Sequence, residues 1–401
     1  MLRKAACFLL AVAAVMAAGY SFVIAATPEQ DAAEEALDYI RGLQNADGGF
    51  PDFGAGSSPG ATLDAVFAFA AAGIDARTVT SGGNSPVDYI EGQAASYSGV
   101  AGAAAKLVLG LIALGEDPRD FAGVDFVEKM ESYFDAGSYG DGVFDHCLYM
   151  LARSKLGLSP AAGSVNHLKS KQMAEGCWEY GDGWGCDTNT TSLAIQALVA
   201  ADVSPSDSAI EDALDYLAAA QNNDGGFPYL IPSDSDANST AFVIQALVAA
   251  GENIDAGGPW EKQGNTPMEA LLAFQNPVTG AFTYGGVDSA YATYQAVPAL
   301  LLRTYSLPTA TPQEETATPK PTKTPTPVMT ATETPSPQPV IAPPGGSSLA
   351  PTPASQAVTM PRSGGGGETG HDLAPVFAAA LLLAAGVGIT ASLVARRMGK
   401  G

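Results

Sequence analysis

The side chains of this chain that could do chemistry are acidic, sulfur-bearing and aromatic. Asp145 stands two residues before Cys147, Asp187 opens the stretch DTNTTSLAIQALVAAD, and Asp236 opens its near-copy DANSTAFVIQALVAAG. Such carboxyl groups can act as general acids or bases or hold a hard cation. A thiolate beside a carboxylate can begin a zinc site. Each residue also has a plainer role. Asp, Asn, Ser and Thr just ahead of an apolar helix cap it, and Cys147 reads as a small buried hydrophobe. In EGCWEYGDGWGCD, Cys177 and Cys186 lie nine residues apart in a Gly-rich loop, a spacing that permits a local disulfide in an oxidising compartment. Trp178, Tyr180 and Trp184 crowd the same loop and could stack on a sugar or lipid.

The chain around these residues has 401 positions, with 42 acidic against 19 basic residues and a formal charge of -23. It would repel phosphate backbones, which excludes nucleic acid as a partner. Only 15% of residues are charged while 45 are Gly and 28 are Pro, so one uniform globule is ruled out. Three histidines and four cysteines argue against a zinc-rich or disulfide-stapled small fold, and the 46% hydrophobic content must supply the core.

Both ends read as addresses. Residues 1–26 have a basic start, an apolar stretch and small residues at VIAA, the layout of a secretory signal peptide. Residues 373–395 are about the 20 apolar residues that span a bilayer, and the basic tail 396–401 follows, which places it in the cytoplasm and the rest outside. Residues 308–372 form a Thr/Pro/Gly-rich stalk whose composition predicts disorder with polyproline II character. Within the stalk, MPRSG at Met360–Gly364 resembles the LPxTG sorting signal of wall-anchored bacterial proteins, with Met for Leu and Ser for Thr. The expected location is the cell surface, with membrane contact through the terminal helix.

Residues 27–307 carry 37 acidic and 11 basic residues and repeat internally. ALDYIRGLQNADGGFP from Ala36 recurs as ALDYLAAAQNNDGGFP from Ala213, and weaker copies bring the count to six units. Each unit reads as an amphipathic outer helix, a Gly-rich turn closing on an aromatic, and an inner helix that is apolar nearly all round. Such units must stack, and six that close into a ring leave no exposed end. The turn pattern is Gln44, Gly48, Phe50; then Gln172, Gly176, Trp178; then Gln221, Gly225, Phe227; and, one residue looser, Gln275, Gly280, Phe282. This resembles the QW motif of squalene and terpenoid cyclases and the related repeat of protein prenyltransferase β subunits. The resemblance implies an all-α, α6/α6 toroid.

The chemistry of those families is not carried over with the fold. Cyclases of the hopene type protonate alkenes with DxDD, where this chain has Asp187-Thr188-Asn189-Thr190 and Asp236-Ala237-Asn238-Ser239. Prenyltransferases hold zinc through D-x-C and a distant His; Asp145 and Cys147 match the pair, but the third ligand is missing. Thioester proteins of the same fold use GCGEQ, which is absent. No cofactor is expected, and catalysis is disfavoured. In the toroid the inner helices would start at one end, gathering Asp145, Asp187, Asp236 and Asp288 around the cavity mouth. That ring, with Trp184 nearby, is the expected ligand site and could take calcium. The reading is a surface-anchored binding or adhesion module for an extracellular small molecule, glycan or protein. The alternative is an enzyme on an isoprenoid substrate.

Overall fold

The computed structural model describes residues 26–305. The expected stalk, sorting-like motif, membrane helix and tail, and the signal segment through residue 25, lie outside the described residues. Among the described residues twelve α-helices alternate between an outer and an inner layer. The outer helices are α1 (Pro28–Gly42), α3 (Pro86–Tyr97), α5 (Phe126–Glu131), α7 (Ser164–Ser170), α9 (Ser208–Ala220) and α11 (Pro267–Leu272). The inner helices are α2 (Pro59–Ala71), α4 (Ala101–Leu114), α6 (Val143–Lys155), α8 (Thr188–Ala200), α10 (Ala237–Ala250) and α12 (Ala290–Leu300). Each inner helix packs on the next, and α12 packs on α2, so the ring is closed. Three short hairpins occupy turns between layers. Among the described residues no helix is long and apolar enough to cross a membrane.

Sequence chemistry explains the layering. Helix α1 buries Ala32, Ala33, Ala36, Leu37 and Ile40 and leaves Asp31, Glu34, Glu35 and Asp38 to solvent. Helix α4, AGAAAKLVLGLIAL, is buried on almost every side. Outer helices α1, α3 and α11 begin with Pro behind a capping box, in which Thr27, Ser85 and Thr266 exchange hydrogen bonds with Gln30, Asp88 and Glu269.

The Gln–Gly–aromatic turns join one unit to the next. The amide of Gln44 donates to its own turn at Gly48 O (3.0 Å) and to Val79 O (3.1 Å) ahead of the next outer helix. Gln172 reaches Gly176 O and Ala209 O, Gln221 reaches Gly225 O and Trp260 O, and Gln275 reaches Gly280 O and Ala32 O. The turn glycines are needed twice over. Gly176 has φ +87°, and a Cβ there would stand 2.3 Å from Asp212 O of the following outer helix. The aromatics Phe50, Trp178, Phe227 and Phe282 are fully buried. Their backbone N–H groups donate to Thr62, Thr191, Thr240 and Thr293 in the first turns of the inner helices, at 2.9 to 3.0 Å.

The second and third units depart from this plan. Helix α3 runs almost directly into α4 without an aromatic turn. In the third unit Tyr139 holds the aromatic place, and its N–H donates to Nδ1 of His146 at 3.1 Å, so a histidine stands where the four Gln–Gly–aromatic units have threonine.

Candidate functional site

The lumen enclosed by the inner helices is polar at one level. Asp64 on α2 and Lys106 on α4 meet across it at 2.8 Å, both buried. Burial raises the carboxyl pKa of Asp64, and the Lys106 ammonium opposes that rise. Neither residue stood out among the sequence candidates. A signal was present: each is the single charged residue of an otherwise apolar inner helix, and a charge there must be paired or functional.

Asp145 projects into the same recess from the first turn of α6, whose cap position is Gly142. Glycines make room for it: a Cβ on Gly102 would fall 2.0 Å from Asp145 Oδ1, and one on Gly140 would fall 3.0 Å from Oδ2. Burial first, and the charge of Asp141 second, push the Asp145 pKa up to about 6, against the pull of the Gly102 N–H. Among the described residues no cation pairs with it. Tyr97, Tyr180 and Tyr291 line the recess, a cavity of about 30 Å³ that also touches Asp64 and Lys106. The hydroxyl of Tyr97 is buried without a hydrogen-bond partner.

The other acids of the expected ring have different duties. Asp187 and Asp236 cap α8 and α10, accepting from Thr190 N at 2.6 Å and Ser239 N at 2.8 Å. Burial drives the Asp187 pKa up to about 7, partly offset by hydrogen bonds from Thr190, and Asp187 Oδ2 has no partner. The Asp236 carboxyl is raised by burial as well. Asp288 does not begin its inner helix. It sits in the hairpin Thr283–Tyr284 with Val287–Asp288 and accepts from Asn276 Nδ2 at 2.8 Å, while Ser289 caps α12. Among the described residues no three of these four carboxylates come within one ion's reach, because capping turns Asp187 and Asp236 back onto their own helices. Among the described residues these four carboxylates do not form a shared ligand set for calcium.

The Asp145–Cys147 pair does not converge either. Cys147 is fully buried and its thiol pKa is pushed up by burial, while Asp145 faces the lumen. His146 between them is structural. With Nδ1 accepting from Tyr139, Nε2 carries the proton and donates to Ser164 O at 3.0 Å. Burial lowers its pKa to about 4. Cys177 and Cys186 are joined in a disulfide, with Cα atoms 5.6 Å apart. Glu175 lies close to their sulfurs, but disulfide sulfurs have no thiolate to offer a metal. Trp178 fills the repeat turn and donates Nε1–H to Leu168 O at 2.7 Å. Trp184 is 41% exposed and leans on Tyr180 at 5.8 Å. From there the rings of Phe144, Phe242, Tyr305 and Phe67 follow at 5.2 to 6.5 Å spacings, an aromatic line from rim to lumen.

Residues 136–257 match the squalene-hopene cyclase C-terminal domain. That span runs from the hairpin of the third unit through α10. The fold is that of the terpenoid-cyclase superfamily. Solved structures agree on this. The chain is similar to a protein from Actinoplanes with 17% identity and a TM-score of 0.50, covering 68% of this chain and 99% of that one. It is similar to the type II terpene cyclase MstE from Scytonema with 14% identity and a TM-score of 0.50, covering 68% of this chain and 97% of the other. No curated protein matches the chain by sequence. At these identities the terpenoid-cyclase-like toroid establishes architecture, and chemistry has to be argued from the lumen itself.

Proposed function

We propose that the terpenoid-cyclase-like toroid is a binding module, displayed at the cell surface by the flanking segments, whose lumen holds a small ligand bearing a cationic amine. The observation that carries this reading is the Asp145 carboxyl: it faces the lumen recess with no cation paired to it among the described residues, while the neighbouring Asp64 is already satisfied by Lys106. With a pKa of about 6 it is mostly ionised at neutral pH. An ammonium group would neutralise it, and the faces of the surrounding tyrosines would add cation–π attraction. The acid excess of the chain steers cations toward such a mouth.

A second reading, catalysis on an apolar isoprenoid, draws support from the superfamily fold and from the aromatic lining by Phe67, Phe144 and Phe242. One feature weighs against it. Carboxyl groups poised near pH 6 to 7 suit proton transfer to heteroatoms, whereas protonating an alkene calls for a far stronger acid. The test is thermal denaturation of the full-length protein in methylammonium chloride against sodium chloride of equal strength. The binding reading expects a higher melting temperature in methylammonium for the parent and equal values for Asp145→Asn; equal values for both proteins would contradict it.

A further inference from the structure

The sixth inner helix ends like the other five but sends the chain somewhere else. After α2, α4, α6, α8 and α10, a residue in the left-handed region (Gly73, Gly115, Gly157, Asp202, Gly251) reverses the chain toward the next outer helix. The residue after it donates back five positions, as in Ile74 N to Phe69 O at 2.9 Å and Val203 N to Leu198 O at 3.0 Å. Helix α12 closes the same way, with Arg303 N donating to Pro298 O at 2.8 Å. Here the left-handed residue is Leu302, at φ +51°, where a branched side chain is strained and glycine would not be. The two residues beyond this turn, Thr304 and Tyr305, line the lumen.

Tyr305 is seated among residues from four inner helices. Its backbone N–H donates to Oε1 of the buried Gln196 on α8 at 2.7 Å. Its ring lies 5.2 Å from that of Phe67 on α2 and 6.3 Å, nearly parallel, from that of Phe242 on α10. Tyr305 borders two lumen cavities, one beside Gln245 of α10 and Pro298 of α12 and one beside Asp145 and Lys106. The Nε2 of Gln196 is left buried without a partner.

We propose that Thr304–Tyr305 is an internal plug of the lumen, which withdraws about the strained Leu302 turn to join the two cavities and admit a ligand. The arrangement fits a releasable element better than a permanent core strut. The plug hangs from a turn whose conformation costs energy, its neighbours Leu302 and Arg303 are exposed, and it satisfies only one end of the Gln196 amide. A ligand with a hydrogen-bond acceptor could pair with Gln196 Nε2 and take the place of the tyrosine ring between Phe67 and Phe242. This proposal does not depend on the charge of Asp145.

Native-state hydrogen exchange on the full-length protein tests it. The Tyr305 amide should exchange at least about 100-fold faster than those of Ala197 and Leu198 in α8, because it opens without unfolding the ring. Leu302→Gly, which relieves the turn, should slow the Tyr305 amide and leave the α8 amides unchanged. Toluene, a neutral probe, should raise the melting temperature of Tyr305→Ala by filling the joined cavity and raise that of Tyr305→Phe far less. Tyr305 exchange as slow as that of Ala197 and Leu198, with Leu302→Gly without effect, would overturn the plug, and this result is readable even where Tyr305→Ala fails to fold. Equal toluene responses in Tyr305→Ala and Tyr305→Phe would overturn it too.

Discussion

The side-chain amide of Gln275 donates to the main-chain oxygen of Ala32 at 2.8 Å, tying the sixth repeat to the first across 243 residues of sequence. Tyr294 OH makes a second tie, to Pro51 O at 2.9 Å. These bonds repeat at the closure the staple that Gln44, Gln172 and Gln221 make between consecutive units. The ring therefore has no terminal face to cap, which a linear stack of such repeats would require.

Breaking that closure should destabilise the whole ring. Gln275→Leu removes the two hydrogen bonds to the carbonyls of Ala32 and Gly280, a loss of about 2 to 3 kcal/mol. Gly280→Ala should cost at least as much: φ is +74° there, and the added Cβ would stand 2.5 Å from Glu35 O. Urea midpoints of the two variants, with unchanged slope, are the check; a loss under about 0.5 kcal/mol for both would show that closure rests on the inner helices alone.

The Asp64–Lys106 pair should behave as a buried ion pair. Lys106→Met leaves a buried carboxyl without its cation and should cost about 3 to 5 kcal/mol. Adding Asp64→Leu to that variant should recover most of the loss, since two apolar groups need no partner. A double-mutant cycle in urea measures the coupling, and additive losses would mean the pair is not coupled in solution.

Asp187 should make stability depend on pH in a definite direction. Its folded pKa of about 7 lies above the ordinary 3.8, so between pH 4 and 7 the folded protein holds a proton that the unfolded chain releases. Lowering the pH through that window therefore favours folding, by at most about 4 kcal/mol at 1.36 per unit. His146, folded near 4 against 6.5 unfolded, works the other way, so the contribution of Asp187 has to be read by difference. The stability of the parent minus that of Asp187→Asn should grow as pH falls from 7 to 4; parallel curves would show that Asp187 titrates normally.

Much of the fold was legible because the Gln–Gly–aromatic spacing carries its own physics. Each Gln is a staple, each Gly a place where the next helix comes too near for a Cβ, and each aromatic a plug with a backbone donor bound by Thr. The second and third units were faint for the same reason: one lacks the turn, and in the other His146 stands where Thr would. The site was less legible. Asp145 could be named as an acid at a helix start, but its distinction from Asp187 and Asp236 is three-dimensional. Those two turn their carboxyls onto their own N–H groups, and Asp145 does not. Asp64 and Lys106 were hidden in apolar runs, since periodicity cannot show which of six inner faces a lone charge will meet. Nothing local in RTYS says that Tyr305 will enter the lumen, because that depends on where α12 ends relative to Gln196.

If Asp145 is a lumen carboxylate awaiting a cation, its own titration will show it. Carbonyl-carbon NMR of the full-length protein labelled at aspartate, with Asp145→Asn to assign the signal, would give its pKa with and without methylammonium. The expected value is about 6 in the free protein, falling toward the ordinary carboxylate range as methylammonium is added and unmoved by equal sodium chloride. An ordinary pKa in the free protein, or a raised one that methylammonium leaves in place, would rule out a waiting cation site at Asp145.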